Sequence, residues 1–196
     1  MGTHFRLMTS VMVIAGMIFV GACHHTYQDV EILPYCPAEC DYNVVLCPLP
    51  LVCTPVSRCR IISYLRKRDV KVIRVGEDMQ LVIPSDSLFI ANSSNFNYEY
   101  METLRAVSIL LTCYDKIDVK ISGYTDCCGE PCRNKVLSLQ QAKKVEKYLW
   151  EHCTDSRMLY TEGFGDCYPI AKNDTYFGRA RNRRIEITFR DYPHWD

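Results

Sequence analysis

The sequence predicts an α+β fold in which two helices cover one face of a small mixed sheet. Residues 70–84 hold two runs rich in β-branched side chains around the turn Gly76-Glu77-Asp78, which indicates a hairpin. Two later stretches repeat apolar residues at helical spacing, and short runs between and after them alternate apolar with polar residues. The predicted order is β–α–β–α–β–β with right-handed crossovers, because helices on one face bury both sets of apolar side chains economically.

The first helix and the strand after it follow from residues 96–124. A polar stretch, residues 93–95, leads into the helix, whose apolar positions recur every three or four residues: Met101, Leu104, Val107 or Ser108, and Leu111. The strand is expected over residues 116–124, with alternating Ile117, Val119 and Ile121.

The second helix is expected over residues 133–153. One face of it collects Val136, Leu139, Ala142 or Lys143, Val145 or Glu146, and Leu149. Residues 157–165 then form a strand ended by glycine, and residues 173–184 a loop with a short helical turn. The last strand closes the domain, with Ile185, Ile187 and Phe189 on one face and Glu186 and Thr188 on the other.

The amino-terminal residues 1–22 are typical of a signal peptide. Arg6 precedes an uncharged run from Leu7 to Ala22, which is short for a bilayer-spanning helix of about 20 residues. The run ends in Val20-Gly21-Ala22-Cys23, which resembles a bacterial lipobox and implies cleavage before Cys23 and a diacylglycerol group on its sulfur. With His24 in the next position, the resemblance implies an outer-membrane destination. An uncleaved anchor helix is the alternative.

Residues 23–69 are interpreted as a lipid-anchored spacer before the folded domain at 70–192. Residues 24–60 contain five cysteines and five prolines, which disfavour a helix and indicate an extended, disulfide-stapled segment. Its apolar side chains either pack on the domain or dock on another protein, and the sequence does not separate the two.

Charge and cysteine content restrict the function. The 23 basic and 23 acidic residues balance, and no basic run is present, so sequence-independent nucleic-acid binding is set aside. Twelve cysteines in an exported chain indicate disulfides; if Cys23 carries lipid, the remaining eleven form at most five internal bridges. A zinc site built from the pairs Cys36/Cys40 and Cys128/Cys132 with His24 and His25 fits the usual ligand spacings poorly. We therefore expect no metal and no cofactor.

Three motifs carry a family resemblance over roughly residues 75–190. GYTDCCGEPCRNKVLS, TEGFGDCYPIAKN and GRARNRRIEI, beginning at Gly123, Thr161 and Gly178, resemble the C-terminal domain of OmpA, which the lipoprotein Pal and the stator protein MotB share. IPSDSLFIANSSNF resembles the opening strand and loop of that family. The resemblance implies an OmpA-like sandwich and noncovalent binding of the peptidoglycan stem peptide through its diaminopimelate.

The resemblance also implies the site residues. Asp126 matches the aspartate that takes the ligand's ammonium group. Asn134 matches an asparagine for which helix capping and ligand support are equally open. Arg183, with Arg179, Asn182 and Arg184, matches residues beside the pocket, where ion pairs that fix the last strand are an equal alternative.

Gln141 departs from the family pattern. It stands where the family has the arginine that binds the ligand carboxylate with a guanidinium fork. Losing such a pair costs about 2–5 kcal/mol in a partly desolvated site, and the nearby Lys144 cannot copy a bidentate fork. The expected result is weakened peptidoglycan binding.

Two functions are compatible with these residues. The first is an outer-membrane lipoprotein, facing the periplasm, that links the membrane or an envelope complex to the cell wall. The alternative is a structural subunit whose domain mainly contacts proteins, since size and layout are similar to the OmpA-like lipoproteins of Dot/Icm type IVB secretion systems. We expect no enzyme, because no catalytic set is evident: His152 and Cys153 are adjacent on a predicted helix and point in different directions.

Overall fold

A computed structural model describes residues 53–114, 118–152 and 158–190. The predicted signal peptide, the predicted lipid attachment site Cys23 and the predicted spacer up to residue 52 lie outside the described residues. The same holds for the cysteines at 36 and 40 and the histidines of the zinc alternative.

Five strands and five helices form the described part of the chain. The strands are β1 Lys71–Val75, β2 Asp78–Pro84, β3 Asp118–Tyr124, β4 Met158–Gly165 and β5 Arg184–Arg190. The helices are α1 Pro55–Lys67, α2 Ser85–Leu88, α3 Met101–Thr112, α4 Pro131–His152 and α5 Tyr176–Asn182, with a 3-10 turn, Tyr98–Tyr100, before α3.

The strands form one mixed sheet in the order β1-β2-β5-β3-β4. β5 runs antiparallel to both of its neighbours, β2 and β3, whereas β3 and β4 are parallel. From β2 onward the principal elements follow the predicted order β–α–β–α–β–β, and β1 adds an edge strand through the predicted hairpin. The predicted α+β class is therefore confirmed.

The helices cover one face of the sheet, as predicted. Alternate strand residues such as Leu81, Ile121 and Ile187 are fully buried in a core that they share with side chains of α3 and α4. Glycine residues allow α4 to approach the sheet closely, since a Cβ at Gly123 would lie 2.2 Å from the carbonyl oxygen of Ser138 in α4. A Cβ at Gly163 would lie 2.5 Å from the backbone nitrogen of Leu139. The absence of side chains at these two positions thus allows α4 to pack directly on β3 and β4.

Helix α1 corrects one sequence interpretation. The extended conformation expected through residue 60 is wrong for residues 55–60, which begin this helix. Thr54 caps it by accepting from the backbone nitrogen of Ser57, and Pro55 occupies the first turn, where the missing N–H costs nothing. Ile61 and Leu65 then enter the same core as the sheet.

A disulfide joins Cys53, just before α1, to Cys113 at the end of α3. The predicted use of cysteine in disulfides holds for this pair, which closes a loop across 60 positions. The chain-entropy model gives such a loop about 4 kcal/mol of stabilisation.

The second helix is correct in extent and mostly correct in its buried face. Ala142, Val145 and Leu149 are fully buried, but Val136 is 55% exposed, so its assignment to that face was wrong. Polar side chains, Asn134, Ser138 and Gln141, occupy the first half of the buried face instead. None of the described helices combines the length and apolar composition needed to cross a bilayer.

Candidate functional site

The sheet topology brings three charged side chains to one edge. β2 and β3 end at Pro84 and Tyr124, and both residues pair with Arg184, the first residue of β5. Asp86 and Asp126 each follow two residues after those strand ends, and Arg183 immediately precedes β5. Residues distant in sequence therefore converge where the amino end of β5 lies between two carboxyl ends.

Arg183 joins the two carboxylates. Its Nε and Nη2 each donate to one oxygen of Asp86 over 2.6 Å, and its Nη1 donates to Oδ2 of Asp126. The side chain is 25% exposed. Hydrogen bonding to Asp86, then to Asp126, raises the pKa of Arg183 above its usual range against the opposing effect of desolvation. The guanidinium is thus fixed in place and permanently charged.

Asp126 is held on its other side by the loop before α4. Its Oδ1 accepts from the backbone nitrogen of Cys128 at 2.9 Å, and the residue is only 7% exposed. Asn134 fixes this loop, because its side-chain amide donates to the carbonyl of Cys128 at 3.0 Å and to that of Asp126 at 3.3 Å. Of the two roles considered for Asn134, capping is not seen: the side chain binds loop carbonyls.

Gln141 lies two turns further along α4 and contacts a different segment. Its Nε2 donates to the backbone carbonyl of Ser93 at 2.9 Å, and the residue is 6% exposed. Ser93 belongs to the loop between residues 90 and 97, which closes on itself through the bond from Ile90 nitrogen to the Asn95 carbonyl. Gln141 therefore ties α4 to the loop that precedes α3.

The remaining residues of the GRAxNRR match have structural contacts. Arg184 is 3% exposed, pairs with Glu186 at 2.7 Å and lies 3.8 Å from the ring centre of Tyr124. Asn182 is fully buried and bonds the backbone of residues 170–171. Arg179 donates to the carbonyl of Asn173. Of these three, Arg184 forms an ion pair of the kind considered above, whereas Arg179 and Asn182 form hydrogen bonds. Arg183 is the member of the motif that reaches Asp126.

Three exposed thiols surround the loop between Asp126 and Asn134. Cys127, Cys128 and Cys132 form no disulfide with another described residue. The charge of Asp126 raises the pKa of the Cys128 thiol. No group of three or more potential ligands among the described residues could hold a metal ion.

Asp86 is the site residue that the sequence analysis missed. It binds Arg183 through two hydrogen bonds, yet the residues lie 97 positions apart. A signal was present, because an aspartate follows both β2 and β3 by two residues. Recognising it needs the sheet order, which places the two strand ends beside each other.

Comparison with known proteins identifies the part of the chain that carries these residues. The model of the OmpA family matches residues 88–183, which include Asp126, Asn134, Gln141 and Arg183. A probable lipoprotein, YiaD of Escherichia coli K12, is 35% identical over 133 residues, which are 68% of this chain and 61% of that protein.

A second relative and one solved structure extend the comparison. The peptidoglycan-binding protein ArfA of Mycobacterium tuberculosis is 38% identical over 115 residues, 59% of this chain and 31% of ArfA. The cell wall anchor of the type VI secretion system of Pseudomonas aeruginosa has a TM-score of 0.61 and 28% identity, covering 68% of this chain and 96% of that chain. The chain thus spans under two thirds of these curated relatives.

Proposed function

Because residues 88–183 form a domain of the OmpA family, we propose that this chain binds peptidoglycan noncovalently and links a cell-envelope structure to the wall. The observation that carries the proposal is the cluster of Asp86, Arg183 and Asp126 at one sheet edge. Two relatives are described by their names as a peptidoglycan-binding protein and a cell wall anchor, which supports the same function.

The charge of this cluster favours a cationic ligand group. Two carboxylates and one guanidinium leave a net charge of −1 in a site where the Asp126 side chain is 10% exposed and that of Asp86 46% exposed. An ammonium group that approaches Asp126 balances this charge and supplies hydrogen-bond donors to a carboxylate. The free end of diaminopimelate in the stem peptide carries such a group.

The carboxylate of the same ligand end has a weaker partner. Gln141 offers an amide without charge, and one of its two N–H donors is already used by Ser93. A neutral hydrogen bond is roughly half as strong as a charge-assisted one. The proposed binding is therefore weak for a single site, and many copies on one membrane compensate through multivalency on a polymeric wall.

The proposed location is the outer membrane, with the domain facing the periplasm. Lipid on Cys23 would hold the chain there, and the similarity to a probable lipoprotein supports this anchor. Metabolic labelling with an alkyne fatty acid tests it: wild type should be labelled and Cys23→Ser should not. Labelling of both would contradict the anchor.

Cosedimentation with purified sacculi tests the binding. The full chain should pellet with sacculi, and Asp126→Ala should remain in the supernatant. Asp118→Ala is the matched control, since Asp118 is exposed at the opposite end of β3. No retention of wild type, or equal retention of both variants, would contradict the proposal.

A second candidate is a structural subunit of an envelope complex, such as one of the Dot/Icm type. The bond between Gln141 and Ser93 favours it, because the position opposite the ligand carboxylate serves the fold. If this second function is correct, wild type should not bind sacculi. It should purify from detergent-solubilised membranes together with stoichiometric envelope proteins. Isolation as a single species would count against it.

A further inference from the structure

A cavity of about 980 Å³ lies on the face of the sheet opposite α3 and α4, beside α5. It is lined by β1, the end of β2, α5 and the chain after α1. Asp86 and Arg183 line it too, so it adjoins the proposed peptidoglycan site from the other side, whereas Asp126, Asn134 and Gln141 do not line it. We call it the β1 groove.

The β1 groove follows the edge of a strand. Five consecutive residues, 69–73, contribute to its lining. Residues 71–73 belong to β1 and the two residues before them lead into it, so the groove extends along this strand. In the described sheet, β1 pairs with β2 on one side only, and its outer backbone groups are available to a further strand.

The floor and one wall of the groove are apolar. Ile73 and Val82 lie on the face opposite α3 and α4, and Phe177 of α5 is 79% exposed beside them. Ile170 adds a second exposed apolar side chain. An apolar side chain of a partner would bury this surface and remove it from water, which favours binding.

The rim of the groove is positively charged, although the chain as a whole is neutral. Arg66, Lys71 and Arg181 line it, and none of them forms an ion pair within the described residues. Arg183 and Asp86 neutralise each other. Arg184 also lines the groove but is paired with Glu186, so with Asp69 as the opposing carboxylate an excess of two positive charges remains.

We propose that the β1 groove docks an extended acidic segment of a partner protein, which adds a strand to the edge of β1. Main-chain hydrogen bonds to β1 hold the segment, its carboxylates face Arg66, Lys71 and Arg181, and one apolar side chain enters the space between Ile73 and Phe177. This docking surface is separate from the wall-binding function and does not require it.

The chemistry of the groove favours a protein segment over the wall polymer as its ligand. Both supply carboxylates, but sugars and short stem peptides lack a large apolar side chain for the floor beside Phe177. Strand addition also requires a regular backbone of alternating N–H and C=O groups. A protein segment satisfies both requirements.

Selection from a displayed library of random dodecapeptides against the full chain tests the proposal. We expect enrichment of peptides in which Asp or Glu alternates with apolar residues. Lys71→Glu/Arg181→Glu should bind them at least about tenfold more weakly, and Phe177→Ala, at an exposed position, should also weaken binding. Lys143→Glu/Lys147→Glu, a matched charge reversal on the exposed side of α4, should bind like wild type.

Backbone methylation tests strand addition itself. Methyl groups placed on alternate nitrogens of a selected peptide should abolish binding in one register and leave it intact in the other, because alternate N–H groups point toward the partner strand. Selection without acidic enrichment, equal loss in the α4 control, or no dependence on methyl register would overturn the proposal. Displacement of the peptides by soluble muropeptides would assign the groove to the wall instead and also overturn it.

Discussion

Gln141 donates its side-chain amide to the backbone carbonyl of Ser93, 2.9 Å away and 48 positions earlier in the chain. The residue at the family's arginine position therefore joins α4 to the loop after α2. The same bond leaves one amide N–H for a ligand carboxylate.

Gln141→Arg should strengthen binding of a diaminopimelate-containing stem peptide by about tenfold or more, since a guanidinium fork replaces one neutral donor. Amide shifts in an NMR titration of wild type and variant measure the affinity. Gln141→Lys is the control, because an ammonium adds charge without the fork. Equal affinity of wild type and Gln141→Arg would show that the carboxylate end of the ligand does not contact this position.

Asp86→Asn should lower the free energy of unfolding by about 1.5–3 kcal/mol, the range for hydrogen bonds to charged groups. The substitution keeps the shape of the side chain but removes the charge that fixes two nitrogens of Arg183. Urea unfolding measures the change. Asp118→Asn, on an exposed residue, should leave the midpoint unchanged, and an unchanged midpoint in Asp86→Asn would contradict the bridging role of Arg183.

Asp126→Asn should accelerate alkylation of Cys128 at pH 8. The negative charge of Asp126 raises the pKa of that thiol, so its removal lowers the pKa and increases the thiolate fraction. Asparagine retains an oxygen that can accept from the Cys128 nitrogen. Timed iodoacetamide labelling followed by peptide mass spectrometry gives the rate, with Cys132 in the same digest as internal reference; an unchanged ratio would argue against this electrostatic coupling.

Gly123→Ala should destabilise the domain by about 3 kcal/mol or more, the upper range for overpacking. The new Cβ would lie 2.2 Å from the backbone oxygen of Ser138, and backbone cannot move aside as a flexible side chain can. Gly76→Ala is the control: it has a φ of +63° but open space around it, so only about 1–2 kcal/mol of backbone strain is expected. Thermal unfolding ranks the two, and equal losses would contradict the tight packing of α4 on β3.

The free energy of unfolding should decrease between about pH 10 and pH 12. Burial raises the pKa of Tyr100 to about 12, while an unfolded tyrosine titrates near 10. The folded state retains the proton that the unfolded state releases, so this stability is complete below pH 10 and is lost as the pH rises toward 12. Burial also raises the pKa of Tyr124 and of Tyr148, so Tyr100→Phe should reduce the dependence without removing it. Tyr98→Phe, at an 89% exposed position, should leave it unchanged.

Much of the fold could be predicted because its signals are local. The alternation of apolar and polar residues predicted β5, and the turn at Gly76 predicted the hairpin of β1 and β2. Helix α1 escaped because the prolines and cysteines before it indicated an extended segment, although Thr54 and Pro55 are typical of a helix start. Helical periodicity predicted that Val136 is buried, which is wrong. In the first half of α4 the buried positions are occupied by polar side chains that fix loops.

The site was only partly predictable because its contacts cross the sheet. Family motifs pointed to Asp126 and Arg183, and the structure brings them into contact. The role of Asp86 depends on the position of β5 between β2 and β3, which no local pattern contains. The bond from Gln141 to Ser93 likewise depends on where the loop at residues 90–97 lies against α4.

The disulfide between Cys53 and Cys113 determines how a pulling force on the amino-terminal side of the chain is transmitted to the domain. Residues before Cys53 are the route by which any pull from an amino-terminal tether reaches the domain. The covalent link passes that tension directly to the end of α3, so α1 cannot be peeled away as a separate unit while the bond is intact. A reducing environment would convert the same pull into stepwise unravelling that begins at α1.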